Sequence, residues 1–404
     1  MFTRTVSPSC CKEKWYVKLL VPLASLAVAL AFGFVLMFVM AWKALRLGGE
    51  AVSFSAIFEM TWQSFRILLA GAFYEKVNIH HSGEHMLFLR MAPVVVTTLS
   101  FGIAYRRGVI NFGISGQYLM GALASFWISA TFYWPWWACT LMAALFGAVW
   151  AMIPAMFRIL FRTGEALISI MCNWIAMYVF MLCANKIMYN PLTTQFDTIE
   201  ALSPKSVMPT FHMIVNGEEY FLLHGNAGCS ILIAVGIVIL VWVLEKFVFR
   251  KKPVVSYAEN RSIAQYFPND ARKDMVLTFL FSGVLAGIGG ALKYLPGYIS
   301  WNGVFEHYAP ISVGFVAVLA SATVGFSTLG SVVGAFVYQQ LNIGAFSMSG
   351  KDFPGDVGTV LFTVMSLLCI CSYAVIRKRR IKVQQEVESP SVQEHMTDTE
   401  LEIS

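Results

Sequence analysis

Six polar side chains fall inside stretches that are otherwise apolar. Asn111, Ser115 and Gln117 lie within VINFGISGQYLMGA, and Glu165, Ser169 and Asn173 lie within EALISIMCNWIAMY. The second trio is spaced i, i+4, i+8, which puts all three on one stripe of a helix. None has the partners of a nucleophile or an acid–base pair. As amides, hydroxyls and one carboxylate they can offer hydrogen bonds to a polar solute, and charged groups at membrane depth are costly enough to suggest function. The competing reading is interhelical hydrogen bonding, which joins helices in membrane bundles. Glu165 has a further structural reading, because a carboxylate in the first turn of a helix is favoured by the macrodipole. Gln339, Gln340 and Asn342 form a third polar group, open to the same two readings.

Other chemistries find little support. There is no G-x-x-x-x-G-K-[ST] run, so no P-loop is expected and ATP hydrolysis would have to come from another chain. GVLAGIGGALK is Gly-rich but sits in an apolar span with no strand before it, and so is no nucleotide fingerprint. The eight cysteines include no C-x-x-C pair and most lie in apolar runs, so neither a disulfide framework nor a zinc site is expected. His80, His81 and His85 form a loose cluster that reads as a solvated loop more readily than as a metal site. No cofactor is expected, and nothing points to nucleic acid.

The elements that position these residues must be membrane helices. The chain has 404 residues, is 57% hydrophobic and only 13% charged, against roughly 25% charged in a soluble domain. Lipid must therefore replace water over much of its surface. About 20 apolar residues cross a bilayer, and such runs occur at 17–42, 92–105, 110–130, 136–157, 166–184, 230–249, 275–295, 311–326, 329–346 and 357–376. The fold class is therefore all-α, a polytopic transmembrane bundle of about ten spans, with the second and eighth runs short. Gly283/Gly287 and Gly330/Gly334 are small pairs at four-residue spacing that permit close helix approach.

Lys and Arg favour one orientation. If the N-terminus is cytoplasmic and the runs alternate, most basic residues fall inside, including Arg106, Arg107, Arg158, Lys251, Lys252 and the cluster Arg377–Lys382. Both termini are then cytoplasmic, in a multi-pass protein of the inner membrane. Residues 1–16 form a cytoplasmic N-terminal segment. Residues 17–376 are the membrane domain, and 377–404 a basic-then-acidic tail. The first run, flanked by Trp15 and Trp42, reads as a signal-anchor. Segments 47–90 and 187–228 are long external loops, the first with an amphipathic stretch around Phe54–Leu69. Segment 250–273 is cytoplasmic and could form a short helix at Glu259–Tyr266, a handle for a soluble partner.

Several runs, in order, resemble a known family. RRGVINFGISGQYLMGALAS (Arg106–Ser125) resembles the R-x-G-x-x-N-I-G-x-E-G-Q signature of the permease subunits of bacterial ABC importers, the class serving branched-chain amino acids, ribose and nucleosides. TGEALISIMCNWIAMY (Thr163–Tyr178), SYAENRSIAQYFPNDARK (Ser256–Lys273), FSGVLAGIGGALKYLPG (Phe281–Gly297) and GFVAVLASATVGFSTLGSVVGAF (Gly314–Phe336) are similar to that family's further motifs. Ser115 stands where the family has Glu, Phe267–Pro268 replace an Ala-Gly, and ASATV (Ala320–Val324) replaces A-L-L-G. The resemblance is strongest to the nucleoside permeases, whose relatives also serve riboflavin and simple sugars. It implies a pathway lined by Asn111, Ser115, Gln117, Glu165, Ser169 and Asn173. It also implies an ATPase-coupling segment carried by Glu259, Asn260, Ile263, Ala264 and Tyr266. The partners it implies are an ABC ATPase, a second permease forming a heterodimer with this chain, an extracytoplasmic substrate-binding lipoprotein and membrane lipid. The competing class is an ion-coupled secondary transporter, which usually carries ionisable groups in mid-membrane. Here Glu165 and Lys293 lie near span ends.

Overall fold

The computed structural model describes residues 15–375 except 48–52, 74–82, 248–267, 298–308, 349–356 and a few shorter breaks. The described residues form eleven α-helices. They are α1 (Trp15–Leu47), α2 (Phe54–Ala70), α3 (Gly83–Arg106), α4 (Ile114–Phe132), α5 (Trp136–Phe161) and α6 (Glu165–Ile187). After them come α7 (Ala227–Phe247), α8 (Pro268–Tyr294), α9 (Ala309–Thr323), α10 (Thr328–Met348) and α11 (Val360–Ser372). Pro268 opens α8, where a missing backbone N–H costs nothing.

Each of the ten apolar runs coincides with a helix, and the amphipathic stretch around Phe54–Leu69 is α2. Six helices are long and apolar enough to cross a membrane, within α1, α3, α5, α6, α7 and α8. The second run departs from expectation. It is not short, because the helix begins at Gly83 and extends through Glu84, His85 and Arg90, residues too polar to be counted into an apolar run. The eighth is short, 15 residues in α9.

α4 is surrounded on all sides, and every residue from Ile114 to Phe126 is buried. It packs on α5, α6, α8 and α9. α8 lies in the groove between α3, α4 and α5, and its small residues set the spacing. A Cβ on Gly287 would stand 2.2 Å from the Ala143 carbonyl oxygen, and one on Gly283 2.5 Å from the Gly147 oxygen. On other faces of α8, a Cβ on Gly290 would meet the Tyr118 oxygen at 2.3 Å, and one on Gly289 the Thr97 methyl at 2.7 Å. Backbones thus touch where side chains would stand, as small residues allow in membrane bundles. The expected Gly283/Gly287 pair is one of these contacts.

One core joins α3 to α8. A second joins α1, α2, α9, α10 and α11, with α1 lying against α11 through Gly33 and Leu361. The outer faces stay apolar, as lipid requires: Leu23, Phe32 and Val39 on α1, and Leu232, Val235 and Ile239 on α7. At one end of the bundle the α4–α5 turn exposes Phe132, Tyr133, Trp134 and Trp137, aromatics of the kind that gather at membrane–water interfaces.

The long segment after α6 is more than turns. It carries two small antiparallel hairpins, Tyr189–Asn190 with Gln195–Phe196 and His212–Val215 with Glu218–Phe221. Between them a turn folds onto the bundle end and buries Leu202, Ser203, Ser206 and Met208. The Ser203 amide donates to Ser129 Oγ (3.0 Å), Ser206 Oγ donates to the Trp134 carbonyl (2.5 Å), and the Met208 amide donates to the Leu295 carbonyl (3.1 Å).

The glycine spacing gives a direct test. Gly287→Leu is expected to lower the melting temperature in detergent sharply or abolish a monodisperse product, since overpacking costs about 1–3 kcal/mol or more where neighbours are backbone. Gly236→Ala, on α7 with nothing within 4 Å of its added Cβ, is expected to leave the melt unchanged.

Candidate functional site

All six candidate pathway residues converge on one place, the junction between α3 and α4. α3 ends in a Schellman motif: Gly108 takes φ +75°, its amide donates to the Tyr105 carbonyl (3.0 Å), and the Val109 amide donates to the Ala104 carbonyl (2.9 Å). The chain then turns inside the bundle, where backbone groups must find protein partners. Asn111 supplies them. Its Oδ1 accepts from the Gly113 amide (2.9 Å), a local turn that asparagine favours.

Asn111 is fully engaged. It pairs amide to amide with Gln117, Nδ2 donating to Oε1 (3.0 Å) and Gln117 Nε2 donating back to Oδ1 (3.1 Å). Its second N–H reaches Ser282 Oγ on α8 (2.8 Å), and Ser282 in turn meets Ser100 Oγ on α3 (2.8 Å). Four hydrogen bonds use its full capacity.

α6 completes the junction from outside. The residue before α4, Gly113, has no side chain with which to cap it. Asn173 does so from the neighbouring helix: its Oδ1 accepts the Gly116 amide (2.8 Å) and its Nδ2 donates to the Phe112 carbonyl (2.8 Å). The Gly116 amide is one of the N–H groups a helix start leaves orphaned. Glu165 opens α6 as its first residue. Its Oε1 accepts the Ile110 amide (3.2 Å), and Arg158 Nε stands 3.8 Å from Oε2. Ser115 Oγ accepts the amide of Gly314 on α9 (3.0 Å), and a Cβ on Gly314 would stand 2.3 Å from that oxygen. Ser115 is short enough for α9 to approach this closely. Ser169 is different. It is wholly buried beside Gly113, yet its hydroxyl has no hydrogen-bond partner among the described residues. Trp150 Nε1, near Gly116, is likewise buried with no partner among the described residues.

The stripe Glu165, Ser169, Asn173 therefore faces the interior, as its spacing indicated. The opposite face of α6 exposes Leu167, Met171, Trp174, Ile175 and Tyr178. The third polar group spans helices too: Gln339 Nε2 donates to the Arg90 carbonyl (2.9 Å) and Gln340 Nε2 to the Ala70 carbonyl (2.9 Å), while Asn342 meets Tyr338 Oη on its own helix.

Sequence reasoning missed one feature. At the end of α3, Arg106 forms an ion pair with Glu245 of α7 and donates to the Phe326 carbonyl in the α9–α10 turn; Thr328 donates to the same Glu245 carboxylate. A signal existed in the sequence: Glu245 is an acid in the last turn of a very apolar helix, against the macrodipole, and so calls for a cation. The coupling residues Glu259, Asn260, Ile263, Ala264 and Tyr266, together with His80 and His81, lie outside the described residues. No group of three or more His, Cys, Asp or Glu among the described residues could hold a metal.

Six long apolar helices packed around a polar junction define a multi-pass membrane protein. Residues 85–370 match the family described as branched-chain amino acid transport system / permease component, and the chain belongs to that family. It is similar to the guanosine ABC transporter permease protein NupP of Bacillus subtilis, 26% identical over 368 residues, covering 88% of this chain and 94% of that protein. It is also similar to the nucleoside ABC transporter permease protein NupB of Lactococcus lactis, 28% identical over 67% of this chain and 74% of that one. A third relative, the guanosine ABC transporter permease protein NupQ of Bacillus subtilis, is 24% identical over 70% of this chain and 88% of its own length. No solved structure matches the chain.

Two substitutions on α6 separate framing from idle polarity. Asn173→Ala orphans the Gly116 amide and the Phe112 carbonyl and is expected to destabilise by about 1–3 kcal/mol. Ser169→Ala removes an unpaired hydroxyl and is expected to be neutral or stabilising. Thermal unfolding in detergent reads both.

Proposed function

We propose that this chain is the membrane-spanning permease subunit of an ATP-driven ABC importer for a nucleoside, working beside a second permease, an ABC ATPase and an extracytoplasmic receptor. The observation that carries this reading is the near end-to-end likeness to the guanosine permease NupP, covering 88% of this chain and 94% of that protein. That Bacillus subtilis has two guanosine permeases, NupP and NupQ, both similar to this chain, supports a heterodimer of permeases.

In this reading the chain sits in the inner membrane with about ten spans and both termini cytoplasmic. The ends of α3, α5 and α7 and the start of α8 form its cytoplasmic face. Basic residues gather there: Arg106, Arg107, Arg158, Lys246, Arg272 and Lys273. The aromatic α4–α5 turn and the buried turn at 202–208 form the outer face, where the receptor delivers its solute.

The solute route runs along the α4–α6 side of the junction, past Asn111, Ser115, Gln117, Glu165, Ser169 and Asn173. Asn111 acts there as a frame, since its hydrogen bonds are used up. Gln117 and Asn173 each retain one N–H with no partner among the described residues, a donor suited to the carbonyl and hydroxyl oxygens of a nucleoside. The segment holding Glu259, Asn260, Ile263, Ala264 and Tyr266 contacts the ATPase. Closure of the ATPase pair then rocks the permease halves between outward and inward states, with no covalent step in this chain.

Gentle purification of the tagged chain from its own membranes tests this directly. An ABC ATPase and a second permease should come with it, and the reconstituted complex should import labelled guanosine at the expense of ATP. A partner-free chain, from a preparation that keeps other ABC complexes intact, would instead support the ion-coupled class. In the working complex, replacing Glu259 and Asn260 by bulky residues should leave the chain folded and lower import per ATP; unchanged import would remove the coupling assignment.

A further inference from the structure

Arg106, the last residue of α3, reaches two other elements of the bundle. Arg106 Nη2 pairs with Glu245 Oε1 in the last turn of α7. Its Nη1 donates to the Phe326 carbonyl, and its Nη2 lies 3.4 Å from Thr328 Oγ1. Phe326 holds a left-handed φ of +58°, its amide bonded to the Ser321 carbonyl (2.8 Å) and its ring stacked on Tyr105 at 3.9 Å between centroids. α7 ends at Phe247 and α8 begins at Pro268. Glu245 therefore stands at the α7 root of the cytoplasmic segment between these helices.

We propose that Arg106 is a positioning residue that links the α7 root of that segment to the α3–α4 junction, so that a displacement imposed on the segment from the cytoplasm is delivered to Asn111 and the solute route. The inference rests on the reading of this segment as the ATPase contact.

Stability alone is a poor reason for the arrangement. The Arg106 and Glu245 side chains are 26% and 25% exposed, and ion pairs with that access to water contribute little to stability. What the pair does supply is direction. A guanidinium fork reaching a carboxylate and a carbonyl at once fixes three elements in register: the end of α3, the end of α7 and the α9–α10 turn. Gly108 stands two residues on and Asn111 three residues beyond it, so only a short stretch of chain separates Arg106 from the amide network. A chain of packed and hydrogen-bonded groups of this kind is a physical route by which one site biases another.

The test uses the complete complex, purified with its ATPase and reconstituted in liposomes with guanosine as probe. ATP hydrolysed per guanosine imported is measured for Arg106→Gln, Glu245→Gln and the double variant Arg106→Gln/Glu245→Gln, with Arg46→Gln on α1 as control. The double variant leaves no lone charge, so it decides the matter if a single variant fails to fold. The expected result is normal complex yield with the ratio raised about five-fold or more in the variants, the lower end of usual allosteric coupling, and no change in the control. Variants that import at the wild-type ratio, with at most a lower melting temperature, overturn the proposal and leave Arg106 a structural staple. A wild-type complex in which guanosine import consumes no ATP overturns the importer reading, and this inference falls with it. The two failures are distinct, because one is read in the wild type and the other only in the variants.

Discussion

The bundle depends on how closely α8 can approach the backbones around it. Gly283 and Gly287 lie against Gly147 and Ala143 of α5, and Gly290 against Tyr118 of α4, at distances that admit no methyl group. Lipid gives helices little hydrophobic reason to associate, so packing at such distances and buried hydrogen bonds must do so. The two act together here. Because α8 sits so deep, Ser282 comes within hydrogen-bonding distance of both Asn111 and Ser100, and the polar junction is closed off from lipid. A wider helix spacing would leave the Asn111–Gln117 pair without its third partner.

The junction follows from that constraint. A chain that breaks helix within a packed bundle must satisfy its buried backbone groups internally. Between Arg106 and Ile114 this is done by a glycine in the left-handed region, an asparagine bonding its own backbone, and Asn173 and Glu165 reaching over from α6. Residues that look on paper like solute ligands are first of all the capping groups of a buried helix start. Transport and framing are compatible in one place, because a junction held by a few directional bonds has discrete arrangements, whereas a uniformly packed helix does not.

Much of this was legible in the sequence, for physical reasons. Apolar runs report lipid or protein burial whatever the tertiary detail, so ten runs became ten helices. The 3.6-residue period put Glu165, Ser169 and Asn173 on one inner face. Small pairs at four-residue spacing marked the α5–α8 contact. What stayed hidden shares a cause. The start of α3 carries Glu84, His85 and Arg90, whose polarity masks a helix. The turn at Leu202–Met208 reads as an external loop because Ser, Pro and Lys outnumber its apolar residues, although two of its serines are buried by bonds to Ser129 and Trp134. Ser100 and Ser282 resemble any small residue of a membrane helix until α8 brings them together. Arg106 and Glu245 lie 139 positions apart, and no local pattern pairs residues at that distance.

The burial of α4 from Ile114 to Phe126 has a consequence for biogenesis. With Ser115, Gln117, Ser125 and Ser129 in its length, it is not among the helices apolar enough to cross a membrane by length and composition. Over that stretch it has no exposed side to present to lipid. Two of its covering helices, α8 and α9, are synthesised only after well over a hundred further residues. Until then α5 and α6 are the neighbours in the folded bundle that are available to cover it.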